Sequence, residues 1–306
     1  MKPIPFVTVQ IPIYNERYVA QRVIQAVCQL DWPRDRLQIQ VLDDSTDNTS
    51  LLIAETVNWF QAQGFCIQHI QRADRQGFKA GALAEALPHA QGEFIAIFDA
   101  DFLPQPNFLR QMIPYLQADA EAAFIQARWG HLNKAQSLLT QLQAIAIDAH
   151  FAIEQYARYN AGFFFNFNGT AGIWRKEAIQ VAGGWQADTL TEDLDLSYRA
   201  QLCGMHGIYL RDIVVCGEIP PTLNAFRRQQ HRWARGSIEC SRKLLLGLLR
   251  SHFPKTVKLQ SILHLTSYGI QLLMTLVVLL YMPLLLWNGV SSAIFKSLYA
   301  ITTVFT

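Results

Sequence analysis

Phe94-Ile95-Ala96-Ile97-Phe98-Asp99-Ala100-Asp101 decides the fold: five apolar residues closed by two acids around an alanine. So short and so unbroken an apolar run reads as a central parallel strand covered on both faces. Upstream the same rhythm repeats. Val7 to Ile13, Leu37 to Leu42 and Phe65 to Ile70 read as strands. Between them lie helical patterns: one capped by Asn15 with Val19, Val23, Ile24 and Val27 on one face, one capped by Asp47 or Asn48 and running from Leu51 to Phe60, and one through Ala80, Leu83 and Leu87. Alternating strands and helices predict an α/β sheet. Ligands of open α/β sheets bind beyond the carboxyl ends of the strands, which is where Asp43-Asp44 and Asp99-Ala100-Asp101 fall.

The second half is less regular. A helical pattern runs from Ser137 to Tyr159, an aromatic run from Phe163 to Phe167, and a strand pattern from Gly207 to Val215. From Leu223 toward Leu249, Phe226, Trp233, Ile238, Leu244 and Leu248 alternate with arginines, the pattern of a helix lying in a membrane interface. Ile262 to Trp287 is almost uncharged, interrupted only by Pro283, and reads as one transmembrane helix. Leu298 to Phe305 is too short to span. Three regions follow: residues 1–221 as a catalytic domain, with a nucleotide-binding half to 130 and an acceptor half from 131; residues 222–258 as the interfacial helix; and residues 259–306 as a transmembrane region.

Composition narrows the function. The 306 residues carry a net charge of +2, which gives no support to nucleic-acid binding. Basic residues concentrate at Arg227, Arg228, Arg232, Arg235, Arg242, Lys243, Arg250, Lys255 and Lys258, with Glu239 as the one acid among them. That cluster suits anionic lipid and a cytosolic flank. Met1 to Ile13 has no secretory pattern, so the bulk of the chain is expected in the cytosol, attached to a membrane. Five cysteines without CxxC spacing favour neither a disulfide framework nor a zinc site.

Several residue sets carry chemistry. Asp99 and Asp101, two apart at a strand end, can face one hard cation, magnesium or manganese, and a diphosphate it bridges. Asp43 and Asp44 can accept hydrogen bonds from a base or ribose. Lys79, between Gly77 and Gly81, is a cation at a helix start, a place that suits an anionic ligand. In Thr191-Glu192-Asp193, Asp193 is the choice for a general base, while Glu192 or Asp195 can serve a capping box. Gln229, Arg232 and Trp233 share one helical face, an arginine for phosphate and an indole for a sugar ring.

Taken in order, Asp43-Asp44, the Lys79 segment, Asp99-Ala100-Asp101, Thr191-Glu192-Asp193 and Gln229-x-x-Arg232-Trp233 resemble the processive family 2 glycosyltransferases, to which cellulose synthase belongs. Gln10-Ile11-Pro12-Ile13-Tyr14-Asn15-Glu16, Gly77-Phe78-Lys79-Ala80-Gly81 and Phe165-Asn166-Phe167-Asn168-Gly169-Thr170 bring the likeness to the branch that makes mannan, glucomannan or xyloglucan backbones. The resemblance implies a GT-A fold, a divalent cation and inverting transfer of a hexose from a nucleotide sugar, UDP-glucose or GDP-mannose, to a glycan. By it Asp44 meets the nucleoside, Lys79 the diphosphate, Asp99 and Asp101 the donor and metal, and Asp193 acts as base. Gln229, Arg232 and Trp233 hold the donor diphosphate and the acceptor end, and Phe167, Asn168, Gly169 and Thr170 lie beside the acceptor sugar. The family also carries spans on both sides of the catalytic domain. None precedes Phe6, so the expectation is a fragment, an assembly with a second copy or a membrane subunit, or transfer of one hexose to a lipid such as diacylglycerol. A non-catalytic nucleotide-sugar-binding subunit is the reading from another class.

Overall fold

The computed structural model describes residues 3–288. Strands β1 (Val7–Ile13), β2 (Leu37–Asp43), β3 (Ile67–Gln71) and β4 (Phe94–Ile97) lie parallel in the order β3-β2-β1-β4. They are linked by α1 (Ala20–Cys28), α2 (Thr49–Ala62) and α3 (Phe78–Ala86). Beyond β4 the direction switches. The two-residue β5 (Phe102–Leu103), β6 (Ala122–His131), β7 (Gly172–Arg175) and β8 (His206–Gly217) extend the sheet as β4-β7-β6-β8-β5, with β7 antiparallel to both β4 and β6. Asp99 and Asp101 sit in the link between β4 and β5, at that switch. Flanking helices are α4 (Phe108–Ala118), α5 (Leu138–Ala149), α6 (Tyr156–Asn160), α7 (Lys176–Val181) and α8 (Glu192–Leu202), followed by α9 (Leu223–Arg250), α10 (Lys255–Leu265) and α11 (Gly269–Asn288).

The register of the parallel half is written in alternation. Val7, Val9, Ile11 and Ile13 of β1 pack with Val23, Ile24 and Val27 of α1 in one core. Thr8 and Gln10 point to the other face, and both are fully buried, as are Gln38 and Gln40 of β2. Buried amides need partners. Thr8 Oγ1 donates to Gln38 Oε1 at 2.9 Å, and Gln10 Nε2 donates to Gln40 Oε1 at 2.9 Å, following the strand register Thr8↔Gln38 and Gln10↔Gln40. A slip of one residue would set these amides against valine and isoleucine, so the pairing that aligns the two strand ends is strongly specified. A second core on the opposite side gathers Phe124, Phe165, Phe167 and Trp174, and a third packs Leu194 and Tyr198 of α8 against Cys240, Leu244 and Leu248 of α9 and Leu265 of α10.

Four expectations change. Asn15 does not cap a helix: α1 begins at Ala20, and Asn15, at φ 55°, uses its Oδ1 to accept from the Thr46 amide at 2.8 Å, pinning the loop after Asp44. The single span from Ile262 is broken. Ser237 and Ser241 of α9 donate to the Leu265 carbonyl at 2.8 and 2.6 Å, α10 stops there, and α11 restarts at Gly269. No single helix among the described residues is long and apolar enough to cross a membrane; Lys255–Leu265 and Gly269–Tyr281 pass that test only together, bent by 72°. The helix of Leu223 forms, but its Leu244 and Leu248 pack inside the protein rather than on an outer interface. Its basic residues are also partly committed, because Lys243 pairs with Asp188 at 2.7 Å and buried Asp195 at 2.9 Å, while Lys258 donates to the Leu249 and Ser251 carbonyls. The stretch Leu298 to Phe305 lies outside the described residues.

Candidate active site

The carboxyl ends of β1, β2 and β4 open on a cleft of 680 Å³, a size that suits a nucleotide sugar. Its wall includes Tyr14, Glu16, Asp44, Arg75, Lys79, Asp99, Asp101, Asn168, Gly169, Asp193, Gln229, Arg232 and Trp233. Residues from the first and last thirds of the described chain therefore meet in one place. Of the three non-glycine residues with left-handed φ among the described residues, Asn15, Phe78 and Ala171, Phe78 lines it, and Asn15 lies between the lining residues Tyr14 and Glu16; strained backbone of this kind clusters at functional sites.

Asp44 directly follows β2, with both carboxylate oxygens held by Arg72, from Nε at 2.9 Å and Nη2 at 2.5 Å. Arg72 also donates to the Gln76 and Phe78 carbonyls, so one guanidinium shapes the turn that leads into α3. That turn closes on Gly77 at φ 74°, where a side chain would be strained and a Cβ would lie 2.9 Å from Ala187 Cβ. Asp43 is placed differently from Asp44. It lies behind the cleft wall, accepting from the Ser45 amide, the Ser50 hydroxyl and His69 at 2.9, 2.5 and 2.8 Å. Burial opposes its ionisation, but these hydrogen bonds outweigh it and hold the carboxyl down at about 2. Its hydrogen bonds shape the strand end, and of the two acids only Asp44 lines the cleft.

Lys79 stands at the start of α3. Its Nζ donates to Asp99 Oδ1 at 2.5 Å and to the Gly169 carbonyl at 3.0 Å, with Glu192 Oε1 at 3.9 Å. The Asp99 amide in turn donates to the Thr170 hydroxyl at 2.9 Å. Opposing charges crowd the cleft. Burial, then the charge of Asp99, then that of Glu16, raise the Asp101 carboxyl to about 7. Burial and Asp99 raise Glu16 to about 7 as well, against the pull of Lys79 and Arg232. Glu16 takes no role from the motifs alone; its sequence signal is an acid three residues past the end of β1, level with the other strand-end acids.

Asp193 lies in the first turn of α8, where Thr191 provides no side-chain cap. No capping box forms: Asp195 pairs with Arg199 and Lys243, and Glu192 turns toward Lys79. Burial and the adjacent Glu192 raise the Asp193 carboxyl to about 7, with Lys79 opposing. Gly169, at φ 82°, passes directly beneath it, since a Cβ there would lie 3.0 Å from Asp193 Oδ2. Gln229, Arg232 and Trp233 reach the cleft from α9, which crosses α8 closely at Gly236.

The acceptor expectation divides. Asn168 and Gly169 line the cleft, whereas Phe167 is fully buried against Phe124 and Trp174, and buried Thr170 is spent on the Asp99 amide. Phe164 and Phe165 are buried too, so this aromatic run is core and offers no face to a sugar. Phe165 and Phe167 pack with Phe124 and Trp174 in one core, while Phe164 packs with Leu194 and Tyr198 in another. Residues the sequence did not single out complete the wall. The Arg75 guanidinium stacks 3.2 Å from the Tyr14 ring centroid, a flat shelf beside Asp44.

Among the described residues no group of three or more histidines, cysteines or acids is arranged to hold a metal ion. The acids do fit a shared one. Asp99 and Asp101 supply oxygen donors, and the burial and then the mutual repulsion that raise Asp101 and Glu16 are costs a divalent cation would offset. Magnesium-type sites commonly take one or two carboxylates and complete themselves with substrate phosphate and water.

The family model described as glycosyltransferase like family 2 matches residues 4–236. Glucomannan 4-beta-mannosyltransferase 1 of Oryza sativa subsp. japonica is 46% identical over 252 residues, covering 81% of this chain and 48% of that protein. Glucomannan 4-beta-mannosyltransferase 2 of Arabidopsis thaliana is 47% identical over 252 residues, covering 81% and 47%. The chain spans about half the length of these relatives. Among solved structures, mannosyltransferase PcManGT from Pyrobaculum calidifontis in complex with GDP-Man and Mn2+ superposes with TM-score 0.73 at 22% identity, over 98% of this chain and 80% of that one. TarS 1–349 of S. aureus in complex with UDP-GlcNAc gives 0.64 at 16% identity, over 87% and 73%. The fold is thus the GT-A-like mixed sheet expected, and the likeness read from the motifs is borne out.

Proposed function

Because this chain belongs to the glycosyltransferase like family 2, we propose that its cleft transfers a hexose, with inversion, from a nucleotide sugar to the end of a β-linked polysaccharide of mannan or glucomannan type. The observation that carries this reading is the meeting of Lys79, Asp99, Asp101, Asp193 and Arg232 on one wall. GDP-mannose is the preferred donor, supported by the printed activities of the relatives at 46% and 47% identity; UDP-glucose is the alternative.

The base lies on the Tyr14–Arg75 shelf with Asp44 toward the ribose. Lys79 at the start of α3 and Arg232 on α9 take the diphosphate charge. Asp99 and Asp101 would hold a divalent cation, which when bound neutralises charge developing on the leaving diphosphate. Asn168, Gly169 and Trp233 receive the acceptor. Asp193 accepts the proton of the acceptor hydroxyl as that oxygen attacks the anomeric carbon and the nucleoside diphosphate departs from the opposite side. A carboxyl lifted to about 7 is suited to that work, since a proton acceptor is most effective with a pKa near the working pH. A non-catalytic subunit would have no use for such a base. Transfer of a single hexose to a lipid remains the second reading, favoured by the apolar C-terminal helices.

The body spans residues 1–221, α9 completes its cleft, and residues from 259 onward attach it to a membrane. Exposed Ile270, Leu272, Leu273, Leu276 and Leu280 on α11 support that attachment, because a helix with apolar residues on its outward faces needs apolar surroundings. Exposed Arg227, Arg228 and Arg242 support a cleft on the cytosolic side, since such a cluster suits anionic lipid. The test is release of nucleoside diphosphate and growth of a manno-oligosaccharide in washed membranes containing the full chain. No release from either donor would sink the proposal.

A further inference from the structure

The helical stretch that follows β6 is not α-helical throughout. Between α5 and α6, His150–Gln155 forms a π-helical turn, a rare form frequent at functional sites, whose hydrogen bonds run from residue i to i+5. His150 and Gln155 are themselves five apart, and both reach the same side chain. Gln155 Nε2 donates to Asn168 Oδ1 at 2.7 Å, while Asn168 Nδ2 lies 3.3 Å from His150 Nε2. The other ring nitrogen of His150 lies 3.0 Å from Glu154 Oε2. One proton assignment satisfies both contacts: Nδ1–H donates to Glu154, and Nε2 accepts from Asn168. Arg158 closes the arrangement, donating to Glu154 Oε1 at 3.1 Å and to the Gln260 carbonyl of α10 at 3.3 Å.

Asn168 is therefore gripped at both ends of its carboxamide, and it lines the cleft beside Gly169 and Asp193. An amide has two donor hydrogens and two lone pairs. With one of each engaged by the π turn, one hydrogen and one lone pair remain in a fixed plane. We infer that His150 and Gln155 are positioning residues for the acceptor: they hold Asn168 so that its free hydrogen and lone pair engage adjacent hydroxyls of the incoming sugar. This inference rests on the transferase reading above. It also gives the π turn a reason, because regular α-helical spacing would carry Gln155 around the axis and away from Asn168.

The test uses the full chain in membranes, GDP-mannose as donor and β-1,4-linked mannohexaose as acceptor, with donor hydrolysis measured separately in the absence of acceptor. His150→Leu should raise the KM for mannohexaose about 3- to 10-fold, the worth of one hydrogen bond, with the donor KM and the hydrolysis rate unchanged within about twofold. His150→Gln retains one acceptor and one donor and should restore most of the lost acceptor affinity. If His150→Leu shifts donor KM, hydrolysis and acceptor KM together, or if His150→Gln is no better, the role is structural and the inference is overturned. If the unsubstituted protein neither hydrolyses nor transfers from GDP-mannose or UDP-glucose, the transferase reading fails and this inference with it.

Discussion

The Lys79 ammonium bridges the Asp99 carboxylate, at 2.5 Å, and the Gly169 carbonyl, at 3.0 Å. Three segments distant in sequence are joined by that one side chain: the start of α3, the end of β4 and the loop before β7. Without an anion a cation at a helix start opposes the dipole, and here the neighbouring acids offset that cost. Lys79→Gln removes the charge and leaves Asp99 unpaired. The expected result is a kcat/KM for donor reduced about 10- to 100-fold, from the loss of a charged hydrogen bond worth about 1.5–3 kcal/mol. Steady-state kinetics against donor concentration check it, and an unchanged KM would separate Lys79 from the donor.

Asp43 predicts a stability effect. Its folded pKa of about 2 lies below the ordinary 3.8, so its contribution is present above the unfolded value and disappears as pH falls through the folded one. The shift corresponds to about 2 kcal/mol. Asp43→Asn should lower stability at neutral pH by about that amount, and the gap between the two proteins should close between about pH 4 and pH 2. Thermal unfolding across pH measures this; a constant gap would contradict it.

Activity should fall with acid for a separate reason. Asp193, Asp101 and Glu16 all titrate at about 7. Below that pH Asp193 carries a proton and cannot accept another, and Asp101 is protonated where a cation needs its charge. The acid limb of kcat/KM should therefore lie near pH 7. Raising the metal concentration should move it toward lower pH, because cation binding competes with protonation of Asp101. A limb that ignores metal would assign the titration to Asp193 alone.

Gly236 carries a packing prediction. A Cβ at this position of α9 would lie 2.5 Å from Thr191 Cγ2 and 2.9 Å from the Thr191 amide, which leaves backbone to move. Gly236→Ala should cost about 1–3 kcal/mol and push α9 away from the start of α8. Arg232 and Asp193 would then separate, so transfer should fall further than the loss of folded protein explains. Comparing kcat with folded fraction measured by circular dichroism checks this.

Much of this was legible in the sequence for physical reasons. Strands such as Val7–Ile13 and Phe94–Ile97 announce themselves because short apolar, β-branched runs bounded by turn residues are what a sheet covered on both faces requires, and strand-end acids follow from where such sheets bind ligands. The aromatic run at Phe163 to Phe167 misled because an aromatic side chain serves a core and a sugar platform equally well, and only the pairing of β6 with β7 decides which. β5, two residues long, carries no periodicity to detect. The break at Leu265 is set by Ser237 and Ser241 on another helix, a tertiary cause invisible in an apolar stretch. Arg72 and the His150–Gln155 turn were likewise silent, since their roles depend on partners brought close only by folding. The same holds for Lys243, which reads as a lipid-facing cation until Asp188 and Asp195 are seen beside it.

The most direct measurement compares the full chain and its Asp193→Asn variant in membranes supplied with GDP-mannose or UDP-glucose, with manganese or with a chelator, reading donor binding, nucleoside diphosphate release and oligosaccharide growth. The account predicts metal-dependent transfer from GDP-mannose, reduced about 10²- to 10⁴-fold by Asp193→Asn while donor binding persists. Transfer that survives Asp193→Asn at the original rate would contradict it.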